Sequence, residues 1–312
     1  MIMKAMRYHS HGDSDVLVYE DADRPVPGEG QVLLQVAGTA FNLLDAAIRV
    51  GIMRDAFSVA LPHIPNLDVS GVITELGPGV DGWRVGDAVI GMLPATEPGA
   101  AAEYVAAPAA VLAGAPQTVE LADAAALPVV GLTAWQALFE VAALQPGQRI
   151  LINGAGGGVG GYAVQLARRA GATVTAVAGP RSRDRVRARG AAEVIDYTAG
   201  PIEDSLADRR FDVVLQLVRT DPEETARLVD FVGDGGVFVS STTPGPDQAG
   251  RGVRTERVFV RPDAGQLAEL VALVDAGELV IDVADRRSLT DLADVHDQGV
   301  AGSLAGRTIL VP

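Results

Sequence analysis

Hydrophobic positions in the first part of the chain come in short runs broken by glycine and proline. Lys4–His9, Val16–Glu20, Gln31–Ala37, Asp68–Leu76, Ala88–Met92 and Ala102–Val105 read as strands. The turns between them carry Pro25-Val26-Pro27-Gly28-Glu29-Gly30, Gly77-Pro78-Gly79 and Asp81-Gly82. Strands this short and this closely spaced predict a small, barrel-like all-β unit. Alanine-rich helical stretches follow at Leu121–Leu127 and Ala134–Ala142.

From Arg149 the period changes. Apolar runs at Arg149–Asn153, Thr173–Ala178, Glu193–Asp196, Val213–Leu217, Gly236–Ser240 and Arg257–Val260 read as strands. Helical patterns alternate with them: Val159 to Ala170, Arg183–Arg189, Ile202–Ala207, Pro222–Phe231 and Gly265–Ala276. That alternation predicts βαβ units and a parallel, doubly wound sheet. The tail ends in another strand pattern, Gly306-Arg307-Thr308-Ile309-Leu310-Val311, expected to return to the first unit.

Composition narrows the chemistry. No cysteine is present, which removes disulfides, a thiolate nucleophile and a thiolate-built zinc site. Lys4 is the only lysine, so Schiff-base and P-loop lysine chemistry have almost no candidate. His9, His11, His63 and His296 are scattered, without metal-binding spacing. A net charge of −15 repels phosphate backbones and anionic surfaces, so neither nucleic acid nor a membrane is an expected partner. No run of about 18 uncharged apolar residues suggests a span, and the N-terminus lacks a signal-peptide pattern, so a cytoplasmic protein is expected.

One segment carries chemistry by its context. Asn153-Gly154-Ala155-Gly156-Gly157-Gly158-Val159-Gly160 lies between a predicted strand and a predicted helix. Glycines there let backbone N–H groups approach a pyrophosphate at a helix N-terminus, and Gly160 allows the helix to pack closely on the strand. An NAD site wants an acid at the end of the next strand to bond the ribose 2′-hydroxyl. Here that strand runs into Gly179-Pro180-Arg181-Ser182-Arg183. Arginines and a hydroxyl suit a 2′-phosphate, so NADP(H) is the expected cofactor; the alternative is a solvated helix face, since Arg185, Arg187 and Arg189 continue the run.

At this point the chain resembles the medium-chain dehydrogenase/reductase superfamily, in its zinc-free quinone oxidoreductase-like branch. The resemblance rests on Ala40-Phe41-Asn42-Leu43-Leu44-Asp45, Asp68-Val69-Ser70-Gly71-Val72-Ile73, Val85-Gly86-Asp87-Ala88-Val89, Gly131-Leu132-Thr133-Ala134, the glycine turn and Val194-Ile195-Asp196-Tyr197. It implies an α/β protein with a GroES-like β-barrel domain over 1–122, completed by 278–312. A Rossmann domain of doubly wound parallel-sheet type over 123–277 would bind NADP(H), with the active site in the cleft between them. By position, Asn42 matches the asparagine near the nicotinamide ribose and Thr133 the threonine near the nicotinamide. Arg181, Ser182, Arg183 and Tyr197 fall at the 2′-phosphate. Ser240, Ser241 and Val260 fall along the nicotinamide pocket, and Arg307 near the pyrophosphate. The resemblance also implies a homodimer through the Rossmann sheet edge, at Arg257–Val260.

Departures from the family limit the chemistry. Zinc-dependent relatives need a cysteine where this chain has Asn42, and a His-Glu pair at Leu67-Asp68. Asn66 stands where the branch often has glycine. Ala47 and Met53 replace tyrosines that some relatives carry. The implied reaction is hydride transfer from NADPH to a quinone or an α,β-unsaturated carbonyl, with Asn42 and Asp45 as candidate catalytic residues. Asp45 either polarises a water or caps the following helix. Asp68 is expected to pair with an arginine, Arg307 being the candidate. The alternative is an NADP(H)-binding protein of the same fold with a structural or regulatory role. The acceptor pocket would come from loops such as Gly51–Pro62 and Thr243–Arg254.

Overall fold

The computed structural model describes residues 1–247 and 249–312; Gln248, inside the Thr243–Arg254 loop, lies outside the described residues. The chain divides into two units, Met1–Val129 with Arg261–Pro312, and Val130–Val260.

The first unit opens with an antiparallel hairpin, β1 (Ile2–Tyr8) and β2 (Leu17–Asp23). Next comes β3 (Gln31–Ala40), the longest strand, followed by α1 (Leu43–Val50). Strands β4 (Asp68–Leu76), β5 (Ala88–Met92), β6 (Tyr104–Pro108) and β7 (Leu112–Gly114) complete the first pass. β3 pairs antiparallel with both β4 and β6. The inward positions of these strands, among them Val32, Leu34, Val69, Ile73, Val89 and Val105, form one buried cluster. Alternation of apolar and polar residues puts that set on one face, as a period of two requires.

Helix α2 (Pro128–Trp135) continues as a π-helical turn, Gln136–Val141. The helical run Asp123–Val141 is apolar and long enough by composition to cross a membrane, but 78% of its most apolar window is buried in the fold. The second unit then alternates β8 (Arg149–Asn153), α3 (Gly158–Arg169), β9 (Thr173–Val177), α4 (Arg183–Ala188) and β10 (Glu193–Ile195). It continues with α5 (Ile202–Leu206), β11 (Phe211–Gln216), α6 (Pro222–Asp230), β12 (Val232–Ser240) and β13 (Arg254–Arg257). All six strands are parallel, in the order β10-β9-β8-β11-β12-β13. The order reverses between β8 and β11, and in sheets of this kind ligands bind at the carboxyl ends of the strands flanking that reversal.

The chain returns to the first unit through α7 (Ala264–Asp275), β14 (Val283–Ser288), α8 (Leu292–Val300) and β15 (Arg307–Val311). β15 pairs antiparallel with the last residues of β3, and β14 lies parallel to β15. So the closing strand does return as its pattern suggested.

Three expectations need correction. The last Rossmann strand is Arg254–Arg257, not Arg257–Val260, because its register against Val237–Ser240 of β12 uses the earlier residues. The strand expected at Ala102–Val105 is shifted to Tyr104–Pro108, where it follows β3 from Gln35 back to Gln31. The helical stretch expected at Leu121–Leu127 is only a 3-10 turn at Asp123–Ala126.

Helix α8 carries a histidine with an unusual setting. His296 is fully buried, its ring meets Phe41 edge-on at 4.7 Å, and neither nitrogen has a hydrogen-bond partner among the described residues. Burial pushes its pKa down to about 3, and the nearby Arg49 charge adds to the effect. The folded state therefore holds His296 neutral while the unfolded chain takes up a proton near pH 6.5. Stability from this residue is present above pH 6.5 and is lost as pH falls toward the folded value. His296→Leu should remove that acid sensitivity: lowering the pH from 7.5 to 5 should cost the variant roughly 2 kcal/mol less than the parent. Urea unfolding at the two pH values measures the difference, and equal losses would refute it.

Candidate active site

The polar residues singled out in the first unit converge on one buried cluster. Asn42 follows the end of β3 and is the N-cap of α1, with extended backbone (φ −128°, ψ 151°). Its Nδ2 donates to Asp68 Oδ2 at 2.8 Å, and its Oδ1 accepts from Arg307 Nη1 at 2.9 Å. Arg307, at the start of β15, donates its other Nη to Asp68 Oδ2 at 2.7 Å and also reaches the Phe41 carbonyl at 2.7 Å. The remaining Asp68 oxygen accepts from the Val129 N–H, at the start of α2, at 2.7 Å. The pairing of Asp68 with Arg307 is thus as expected from the sequence. Both side chains are shielded, at 0% and 8% exposure.

Asp45 occupies the third position of α1. Its Oδ2 accepts from the Asn42 N–H at 2.8 Å, and its Oδ1 accepts from the Leu67 N–H at 3.2 Å. Of the two roles open to it, the geometry shows the cap: the carboxylate satisfies a donor that the helix start leaves orphaned. Burial pushes the carboxyl up to about 7, with the Asp68 charge adding and the two N–H donors opposing. His63 lies close by, held at about 4 by burial and by His11.

In the second unit the glycine turn has the expected form. Gly154, Ala155 and Gly156 follow β8, and Gly157 is the extended N-cap of α3, which starts at Gly158 and Val159. Gly160 lies so close to the strand end that a Cβ would stand 2.3 Å from the Gly154 carbonyl oxygen. Gly156 is pressed against Ser182, where a Cβ would meet Oγ at 2.2 Å. Gly157, by contrast, faces outward. Arg181 and Ser182 precede α4, and Arg183 opens it. Arg183 donates to Asp196 at 2.7 Å, so part of its charge is already met. Tyr197 is exposed, with its hydroxyl beside Gly179. Thr133 is buried in α2, Ser240 closes β12, the Ser241 N–H donates to the Gln216 carbonyl, and Val260 lies half-buried beyond β13.

Two residues at this end of the sheet were not singled out from the sequence. Arg185 reaches back from α4 to donate to the Gly156 carbonyl at 3.1 Å. Its signal is its place on α4, one turn after Ser182, which turns it toward the glycines. Gln216 ends β11, accepts from the Asn153 amide at 2.8 Å and is fully buried. The pair sits where the strand order reverses, and a glutamine in an apolar strand was the available sign.

The Arg307–Asp68 pair generates a stability prediction. Arg307→Met should cost about 3–5 kcal/mol, because it leaves a buried carboxylate without its cation. Adding Asp68→Asn should recover much of that loss, since an amide oxygen can still accept from Val129. Denaturant unfolding of the single and double variants checks this; an equal or larger loss in the double would refute it.

Comparisons with known proteins agree with this architecture. Residues 28–117 match the model of the alcohol dehydrogenase GroES-like domain, and residues 189–310 that of the zinc-binding dehydrogenase family. The chain is 32% identical to a chloroplast envelope quinone oxidoreductase homolog of Arabidopsis thaliana, covering 100% of this chain and 99% of that protein. It is 32% identical to a 2-methylene-furan-3-one reductase of Solanum lycopersicum, covering 99% and 79%. Among solved structures, a quinone oxidoreductase from Coxiella burnetii superposes with a TM-score of 0.89 at 26% identity, over 100% of both chains. The fold is accordingly a GroES-like domain joined to a Rossmann-type parallel sheet, and the chain belongs to the medium-chain dehydrogenase/reductase superfamily, in its quinone oxidoreductase-like branch.

Proposed function

We propose that this oxidoreductase is a zinc-independent, NADPH-dependent enzyme that transfers hydride to a quinone or an α,β-unsaturated carbonyl compound. The observation that carries the cofactor assignment is the end of β9. Ser182 and Arg185 lie against the glycine turn, Arg181 and Arg183 stand beside them, and no carboxylate follows Val177 until Asp184. A ribose carrying a free 2′-hydroxyl calls for an acid there, and a 2′-phosphate calls for guanidinium groups. Arg183 is shared with Asp196, and Arg185 already reaches the glycine turn; with Arg181 they are the phosphate ligands in this reading. Tyr197 offers its ring and hydroxyl beside them.

The residues fit the rest of the cofactor. The outward Gly157 and the N-terminus of α3 suit a pyrophosphate, which the helix dipole attracts. Thr133, Ser240, Ser241 and Val260 are assigned to the nicotinamide side, and Arg307 to the pyrophosphate side. When bound, the nicotinamide supplies the hydride. The chain's own part is to hold the acceptor in place, exclude water and stabilise the charge that develops on the acceptor oxygen. Asn42 is assigned to that charge: Asp68 and Arg307 fix its amide in one orientation. The balancing proton, one per hydride, comes from water.

Zinc has no place in this reading because of the donor chemistry. The positions that hold metal in zinc-dependent relatives carry an amide at Asn42, a buried isobutyl group at Leu67 and a carboxylate at Asp68. The last is already bound by a guanidinium and two N–H donors. The relatives named for quinone and methylene-furanone chemistry support the acceptor class. The reading also places the protein in the cytoplasm as a homodimer, with the open sheet edge at β13 offering unpaired backbone groups to a second copy.

The test is NADPH consumption with paired panels of 1,4-quinones and simple enones, repeated with NADH. Turnover with NADPH well above NADH is expected. Arg181→Ala and Arg185→Ala should each raise KM for NADPH by about 10- to 100-fold, the worth of a charge-assisted hydrogen bond, with little change for NADH. An enzyme that prefers NADH, or whose KM for both cofactors rises together, would refute the phosphate assignment.

A further inference from the structure

Behind the Asn42 cluster the first unit encloses a small cavity of about 10 Å³, lined among others by Tyr8, Asp45, His63 and Asn66. That is room for about one water molecule. The four residues come from separate places: β1, the first turn of α1, and two points of the segment before β4.

Two of the linings lack partners. The Tyr8 hydroxyl is fully buried, and Asn66 is 1% exposed; neither the hydroxyl nor either amide atom of Asn66 has a hydrogen bond among the described residues. Leaving such groups buried and unmet costs about 1–3 kcal/mol each. Asn66 carries a second cost, since its backbone is left-handed at φ +77°. A glycine would meet the backbone requirement without bringing in an unmet amide. The asparagine side chain therefore calls for a partner in the cavity.

We propose that this cavity is a binding site for a single water molecule that joins Tyr8 and Asn66 to the Asp45 carboxylate. Such a molecule accepts from the Tyr8 hydroxyl and the Asn66 Nδ2–H. It donates to Asp45 and to the neutral ring of His63, giving the four bonds a buried water can make. Each Asp45 oxygen accepts one backbone N–H and keeps a lone pair for this contact. The water acts as a positioning element: by hydrogen-bonding the charged form of Asp45, it keeps the carboxylate on the Asn42 N–H and so keeps Asn42 in place. The ionisable groups facing Asp45 are Tyr8 from β1, His63 from the preceding segment, Asp68 from β4 with Arg307 of β15 behind it, and Arg49 on α1 itself.

The inference does not depend on the acceptor or on the cofactor, and its test uses the intact protein without substrate. A high-resolution crystal structure should show one solvent peak within hydrogen-bond distance of Tyr8 Oη and the Asn66 amide. Tyr8→Phe should lower Tm by roughly 2–4 °C, and the loss should nearly vanish in an Asn66→Gly background, because both side chains hold the same molecule. Carbon NMR of aspartate-labelled protein should show the Asp45 carboxyl titrating higher in the double variant than in the parent. If Tyr8→Phe leaves Tm unchanged or raises it, the hydroxyl had no partner and the proposal fails. Additive effects of the two substitutions also overturn it. A peak or a Tm that follows a change among sodium, potassium and ammonium salts would assign the cavity to a cation instead.

Discussion

The organisation of the first unit depends on one buried ion pair. Arg307 and Asp68 are taken almost completely out of water, and the desolvation of two charges is offset only by close pairing and added hydrogen bonds; both Arg307 Nη atoms are bound, while its Nε is not. Here the Asp68 carboxylate has three donors: the guanidinium, the Asn42 amide and, on its other oxygen, the first free N–H of a helix. The last contact also puts a negative charge at the positive end of α2. Four separate pieces of chain are thereby fixed: the end of β3, the start of β4, the start of α2 and the start of β15. Asn42 can keep one orientation because both ends of its amide are bound within this arrangement. Specificity of geometry is the better description of what the pair contributes, since a hydrophobic replacement of such a pair is often no less stable.

Electrostatics divides the work between the units. The chain as a whole carries −15, yet its arginines crowd at residues 181–189 beside the glycine turn. An overall negative field discourages large anions, while a local cluster of arginines is compatible with one small phosphate, as the proposed function requires. The first unit does the opposite: it buries Asp45 and Asp68 and spends backbone N–H groups on them.

Much of this was legible in the sequence. The parallel sheet followed from alternating periods, and β4 and β5 have the bounds that their apolar runs suggested. The glycine turn was readable because strand, turn and helix signals fall in one line. What stayed hidden has common physical causes. β7 is three residues long, too short for a period, and α8 with β14 has mixed polarity that fits neither template. β13 was misplaced because the apolar run Val258-Phe259-Val260 outweighs the charged residues that pair with β12. Arg185 looked like one more exposed arginine, since its spacing of one turn from Ser182 becomes a signal only once it is known that Ser182 meets the glycines. The cavity at Asn66 could not be read at all, because it joins residues from Tyr8 to Asn66 that no local pattern connects.

The position of Arg307 also bears on how the protein is made. During synthesis the Rossmann strands and their helices, residues 130–260, form an uninterrupted stretch and can fold as soon as they leave the ribosome. The first unit emerges earlier but cannot finish, because the cation that neutralises Asp68 and the strand that pairs with the end of β3 are added last. Until then the half-built barrel carries an open edge and an uncompensated acid. The second unit is therefore the first whose chain is complete, although the first unit begins to emerge before it, and a nascent chain stalled short of β15 would be the species most in need of a chaperone.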